Sequence, residues 1–100
     1  MVLIRHIVGE VLRDYRNRRR LTLRQVSTRA NVALGYLSEV ERGQKEASSE
    51  VLLRVTEAMN EPLSQVLIEV GDRLSLYEEV ESVLNVPDTI PEDFYTEAEK

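Results

Sequence analysis

Thr22-Leu-Arg-Gln-Val-Ser-Thr-Arg-Ala-Asn-Val-Ala-Leu-Gly-Tyr-Leu-Ser-Glu-Val-Glu-Arg-Gly43 spells two short helices and the turn between them. Thr22 and Gln25 form a Thr-x-x-Gln capping box, in which each side chain satisfies the other residue's backbone amide. Leu23, Val26 and Ala30 then fall on one side of the helix that follows. Asn31 stands where the chain must turn, and Asn tolerates the left-handed backbone better than most residues. Val32 plugs the core between the helices. The next helix runs from about Leu34 to Arg42 with Leu37, Val40 and Glu41 inward, and Gly43 stops it.

Three more helices surround this pair. Ile4, Ile7, Val8, Val11, Leu12 and Tyr15 recur at three-and-four spacing and predict a helix from about Ile4 to Arg18. Ser48 or Ser49 caps a fourth helix that runs through Met59, with Val51, Leu52, Val55, Ala58 and Met59 as its buried stripe. Pro62 opens a fifth at Leu63. Its apolar residues Leu63, Leu67, Val70, Leu74, Tyr77, Val80 and Leu84 continue past the point where five helices close a globule, at about residue 70. Gly71 is expected to break or kink it, at ~1 kcal/mol relative to Ala. The fold class is therefore all-α. An apolar stripe beyond the globule needs a cover, either the chain's own domain or a second copy packed like a coiled coil, and a homodimer is the simpler solution. Thr89-Ile90-Pro91-Glu92 is a further helix-start signal, ahead of Phe94 and Tyr95 in an acidic tail.

The net charge of −5 conceals a division. Residues 1–45 carry ten Lys/Arg against four acids, and residues 46–100 carry three against fourteen. The basic half suits a nucleic-acid partner, because phosphate neutralisation supplies most non-specific affinity. There is no Cys, hence no disulfide framework or Cys-based zinc site, and a cytoplasmic, nucleoid-associated location is expected. His6 is the single histidine, too few convergent ligands for a metal. No catalytic constellation and no phosphate-cradling Gly loop is present; Glu39 and Glu41 point to opposite sides of their helix. No signal peptide or membrane span is recognisable, and neither a cofactor nor a small-molecule ligand is implied.

Two short helices with an apolar back and a small, polar front describe a helix-turn-helix, whose second helix enters the DNA major groove. The base-reading candidates are Leu34, Gly35, Tyr36, Ser38 and Glu39. Leu34 can touch a thymine methyl and Glu39 can accept from cytosine N4. Gly35 lets the backbone approach closely, and Tyr36 lies toward the flank. No Arg faces the bases, so affinity should lean on phosphate contacts and on two linked half-sites. The phosphate candidates are Thr22, Leu23 and Arg24 at a positive helix end, Arg42, Gln44 and Lys45 in the following loop, and Ser48 and Ser49 at the next helix start. Arg18, Arg19 and Arg20 add to the cluster.

Leu21-Thr22 through Glu41-Arg42-Gly43, with its Tyr-Leu-Ser-x-Val-Glu core, resembles the Cro/C1-type (XRE-like) helix-turn-helix family over about residues 4–70. The resemblance implies a lambda-repressor-like five-helix domain and an ion pair between Arg16 and Glu41. A closer likeness, through Leu34-Gly-Tyr-Leu-Ser-Glu-Val-Glu-Arg-Gly-Gln-Lys-Glu-Ala-Ser-Ser-Glu50, is to the actinobacterial Clp-gene regulators. It implies a dimeric transcriptional activator of Clp protease and stress genes. Leu23 replaces the Gln usual in the broad family, and Ala33 the usual Ser or Thr cap, at ~1 kcal/mol. The domains expected are a DNA-binding domain over 1–70 with its motif at 23–42, a dimerisation helix at 63–84, and a tail at 85–100 with a short helix. Partners expected are an operator duplex and a second copy, with RNA polymerase a further candidate. The alternative is an antitoxin-type autorepressor of the same fold whose acidic tail binds a protein.

Overall fold

A computed structural model describes residues 3–84 and contains five helices in this span: α1 (Ile4–Arg18), α2 (Leu23–Ala30), α3 (Leu34–Glu41), α4 (Ser49–Ala58) and α5 (Leu63–Leu84). The acidic tail and its expected short helix lie outside the described residues. Ile7, Val11 and Leu12 of α1 meet Val26 and Ala30 of α2, Leu37 and Val40 of α3, Val55 and Met59 around the end of α4, and Val66 and Val70 of α5. Thr56 also enters this core, and its hydroxyl donates to the Leu52 carbonyl at 2.9 Å, so its polar atom costs little.

One device ends the first four helices. Arg20, Asn31, Gly43 and Asn60 all adopt positive φ, between 54° and 73°. At each, the next residue's amide reaches back to a carbonyl five positions earlier: Leu21 to Arg16, Val32 to Ser27, Gln44 to Glu39 and Glu61 to Thr56. These Schellman endings satisfy carbonyls that a helix end would orphan. Asn and Gly suit the conformation; Arg20 adopts it with a Cβ penalty.

Gly9 sets the crossing of α1 and α3. A Cβ there would stand 2.6 Å from the Glu41 carbonyl oxygen and collide with that of Val40. Only a glycine lets the two backbones come so close, which presses α3 onto the body.

Two expectations for α5 are corrected. Helix α5 runs unbroken through Gly71, whose Cβ position is open to solvent, so the residue costs propensity without ending the helix. Val70 is 7% exposed and belongs to this chain's own core, so it is unavailable to a partner; Leu74 packs partly on that core too. Leu67, Tyr77 and Val80 are exposed, together with Leu76 and Val83. Leu63 is half-buried. Ile4, expected on the apolar face of α1, is also largely exposed at the helix start.

Ion pairs bind α1 to the later helices. Arg73 reaches Asp14 at 2.7 Å and Glu10 at 3.3 Å. Arg18 pairs with Glu69 at 3.0 Å and lies over the Tyr15 ring. Burial raises the Glu69 pKa, but hydrogen bonds and charge from Arg18 and Arg73 outweigh it and leave the carboxyl lowered.

Candidate nucleic-acid interface

Helix α3 lies across the body with Leu37 and Val40 fully buried beneath it. Its front carries Leu34, Gly35, Ser38 and Glu39, none of them buried. A Cβ on Gly35 would meet nothing within 4 Å, so no internal packing requires a glycine here. Ala33 supplies no capping bond, which leaves the first amides of α3 without a side-chain acceptor.

Tyr36 has another task. Its ring packs against the core and its hydroxyl donates to the Glu46 carbonyl at 2.7 Å. Tyr36, a base-reading candidate in the sequence, thus braces the loop between α3 and α4. Arg5 pins the same loop from α1, donating to the Gly43 carbonyl at 3.1 Å. Gly43 has φ 73°, and a Cβ on it would strike the His6 ring. The loop carrying Arg42, Gln44 and Lys45 is thereby held at one end of the α3 front.

The Arg16–Glu41 pair fixes α3 from behind. Arg16 Nε donates to Glu41 Oε2 at 2.8 Å, and a second nitrogen donates to Oε1 at 2.9 Å. Arg16 also donates to the Leu21 carbonyl at 3.0 Å. The side chains are 15% and 8% exposed, so water screens the pair little. The hydrogen bond to Glu41 is the main reason the Arg16 pKa is raised. A bidentate fork locks both position and rotation of the helix end.

The phosphate candidates divide. Thr22 and Gln25 close the capping box, with the Thr22 amide donating to Gln25 Oε1 at 2.8 Å. The Thr22 amide is therefore occupied, and the free amides at this helix start are those of Leu23 and Arg24, while the Leu23 side chain packs on the core. The Ser48 hydroxyl accepts from the Val51 amide at 3.2 Å and keeps its own proton to donate, and Ser49 is exposed. Arg24 has no partner among the described residues, and Arg42 has only a 3.5 Å contact to Gln44. Lys45 is instead paired, with Glu39, at 3.1 Å. Arg18 and Arg19 are engaged within the chain: Arg18 holds Glu69, and Arg19 holds Glu61 at 2.8 Å and the Asn60 carbonyl. Arg20 stays exposed.

Residues 7–66 match the family described as a helix-turn-helix domain. The transcriptional regulator ClgR of Mycobacterium tuberculosis H37Rv is 53% identical over 76 residues, spanning 76% of this chain and 68% of that protein. The chain belongs to the ClgR family of helix-turn-helix transcriptional regulators. It is a DNA-binding regulator and not an enzyme. The clp gene regulator ClgR of Corynebacterium glutamicum superposes with a TM-score of 0.76 at 39% identity, covering 85% of this chain and 90% of that one. The restriction-modification controller protein C.AhdI of Aeromonas hydrophila shares the fold, with a TM-score of 0.60 at 22% identity over 62% of this chain and 94% of that one. The ClgR-like region takes in α2 and α3.

Sequence reasoning passed over Arg5, Gly9 and Arg73. Gly9 carried a signal, since a lone glycine inside an apolar helical stripe often marks a close backbone approach. Arg5 and Arg73 act across 38 or more positions and left no local trace.

Proposed function

We propose that the chain is a homodimeric activator of clp genes that inserts the front of α3 into the major groove of its operator. The observation that carries this reading is the open Gly35 on an exposed helix face, together with two cations of little internal employment, Arg24 in the first turn of α2 and Arg42 at the end of α3. Leu34, Ser38 and Glu39 read bases, while Arg24, Arg42, Gln44, Ser48, Ser49 and the Leu23 amide hold phosphates. The Corynebacterium glutamicum relative is a clp gene regulator, and its likeness over 85% of this chain supports the same target here. The nucleoid is then the place of action, and RNA polymerase the partner through which activation runs.

The second copy docks on the far half of α5, where Leu76, Tyr77, Val80 and Val83 stand exposed beyond the body. Contiguous exposed apolar surface of this kind marks an interaction site. To read successive major grooves, such a dimer must hold its two recognition helices about 34–36 Å apart. The test is fluorescence anisotropy with a clp-promoter duplex and a scrambled duplex at two salt concentrations. Tighter binding to the promoter at both salts is expected; equal binding to both duplexes would overturn the proposal.

A further inference from the structure

We propose that Lys45 is a specificity-determining residue that positions the Glu39 carboxylate for base reading. The inference rests on Glu39 being a base reader and adds the group that makes it one. The Lys45 ammonium stands 3.1 Å from Glu39 Oε2. The backbone places it there: Gly43 turns the chain through the left-handed region, the Gln44 amide returns to the Glu39 carbonyl at 2.8 Å, and Lys45 follows. Glu39 is thus tied to the loop by its carbonyl and by its carboxylate. Tyr36 and Arg5 hold the same loop from either side, with hydrogen bonds of 2.7 and 3.1 Å to the Glu46 and Gly43 carbonyls.

The side chains are 56% and 34% exposed, and so open a pair contributes little to stability. Its consequence lies in what a carboxylate meets in a groove walled by phosphates. An unpaired Glu39 would be repelled there, whereas a neutralised one enters without that penalty. With Oε2 held by Lys45, Oε1 has no partner among the described residues and is left to accept from a cytosine amino group. Losing Lys45 therefore weakens every sequence through the bare Glu39 charge and, in addition, lowers preference at the Glu39 base pair, whereas losing a lysine on a phosphate does only the first.

The test is selection of bound duplexes from a randomised pool, with a salt titration, for wild type, Glu39→Ala, Lys45→Met, Lys45→Arg and the Glu39→Ala/Lys45→Met double variant. Lys45→Met should weaken preference at the base pair that Glu39→Ala alters, by at least about fivefold. The double variant should lose nothing further at that position, and Lys45→Arg should keep the wild-type preference. An even loss over all sequences, with the salt slope reduced by about 0.9, would make Lys45 a plain phosphate contact and overturn the inference alone. An unchanged preference in Glu39→Ala would overturn the base-reading role of Glu39 and the inference with it.

Discussion

Replacing Gly35 by Ala separates folding from DNA binding. Nothing lies within 4 Å of the Cβ that the substitution adds, and Gly35 sits in the first turn of α3 without a left-handed φ. In a helix interior Ala is better than Gly by about 0.5–1 kcal/mol, and a first-turn position should realise the lower end. The folded state should therefore gain ~0.5 kcal/mol, read as a higher urea midpoint at constant slope. Binding should move the other way. The methyl group projects from the face meant to touch the groove and holds the backbone off it. A lost close contact of this kind resembles one mismatched base pair, ~1 kcal/mol at the low end. Two half-sites double this to ~2 kcal/mol, a loss of roughly 30-fold in operator affinity. Gly9→Ala serves as the opposite control, because its methyl would be driven into the Val40 and Glu41 carbonyls. Overpacking there should cost about 1–3 kcal/mol of stability. A stabilised Gly35→Ala protein that binds its operator as tightly as wild type would refute the close approach of α3.

Other perturbations address separate parts of the molecule. Arg16→Met leaves the Glu41 carboxylate buried without its fork and should cost about 3–5 kcal/mol in chemical denaturation; a loss below 1 kcal/mol would show a pair screened by water. Arg42→Ala should weaken all DNA sequences evenly and flatten the salt slope by about 0.9, whereas a loss confined to one operator would make Arg42 a base reader. Val80→Asp should yield monomers in sedimentation at micromolar concentration with the helical signal retained; it replaces Leu74 as the diagnostic position, because Leu74 also serves this chain's own core. The lowered Glu69 pKa stabilises the fold above the ordinary carboxylate range, and that contribution fades as pH falls through the lowered value. Glu69→Gln should therefore flatten the acid limb of the stability profile, and an unchanged limb would place the acid sensitivity elsewhere.

What could be read directly from the chain was local. The Thr22–Gln25 capping box, the left-handed Asn31 and the Gly43 stop are each specified within a few residues, and the helices begin and end beside them. The inward Leu37 and Val40 follow from helical period alone. Charges resisted such reading, because the destination of a long cation depends on packing at a distance. Arg18 and Arg19 stand beside α2 in the sequence, but the α4–α5 turn and α5 bring Glu61 and Glu69 to them from more than forty positions away. Val70 shared a spacing with the outer stripe of α5, and only the crossing over α1 reveals that the core takes it. Gly71 has the composition of a breaker but sits in a helix whose neighbouring turns are held by Arg73 and Val70. Tyr36 and Lys45 needed the geometry of the Schellman turn, which no side-chain pattern encodes.

Hydroxyl-radical footprinting on a clp-promoter duplex at fixed salt tests the central claim most directly. Two protected stretches related by a two-fold axis, centred about 10–10.5 base pairs apart and lost together in Val80→Asp, are the predicted result. A single protected stretch, or a pair that survives in the monomeric variant at equal affinity, would contradict a dimer reading successive major grooves with α3.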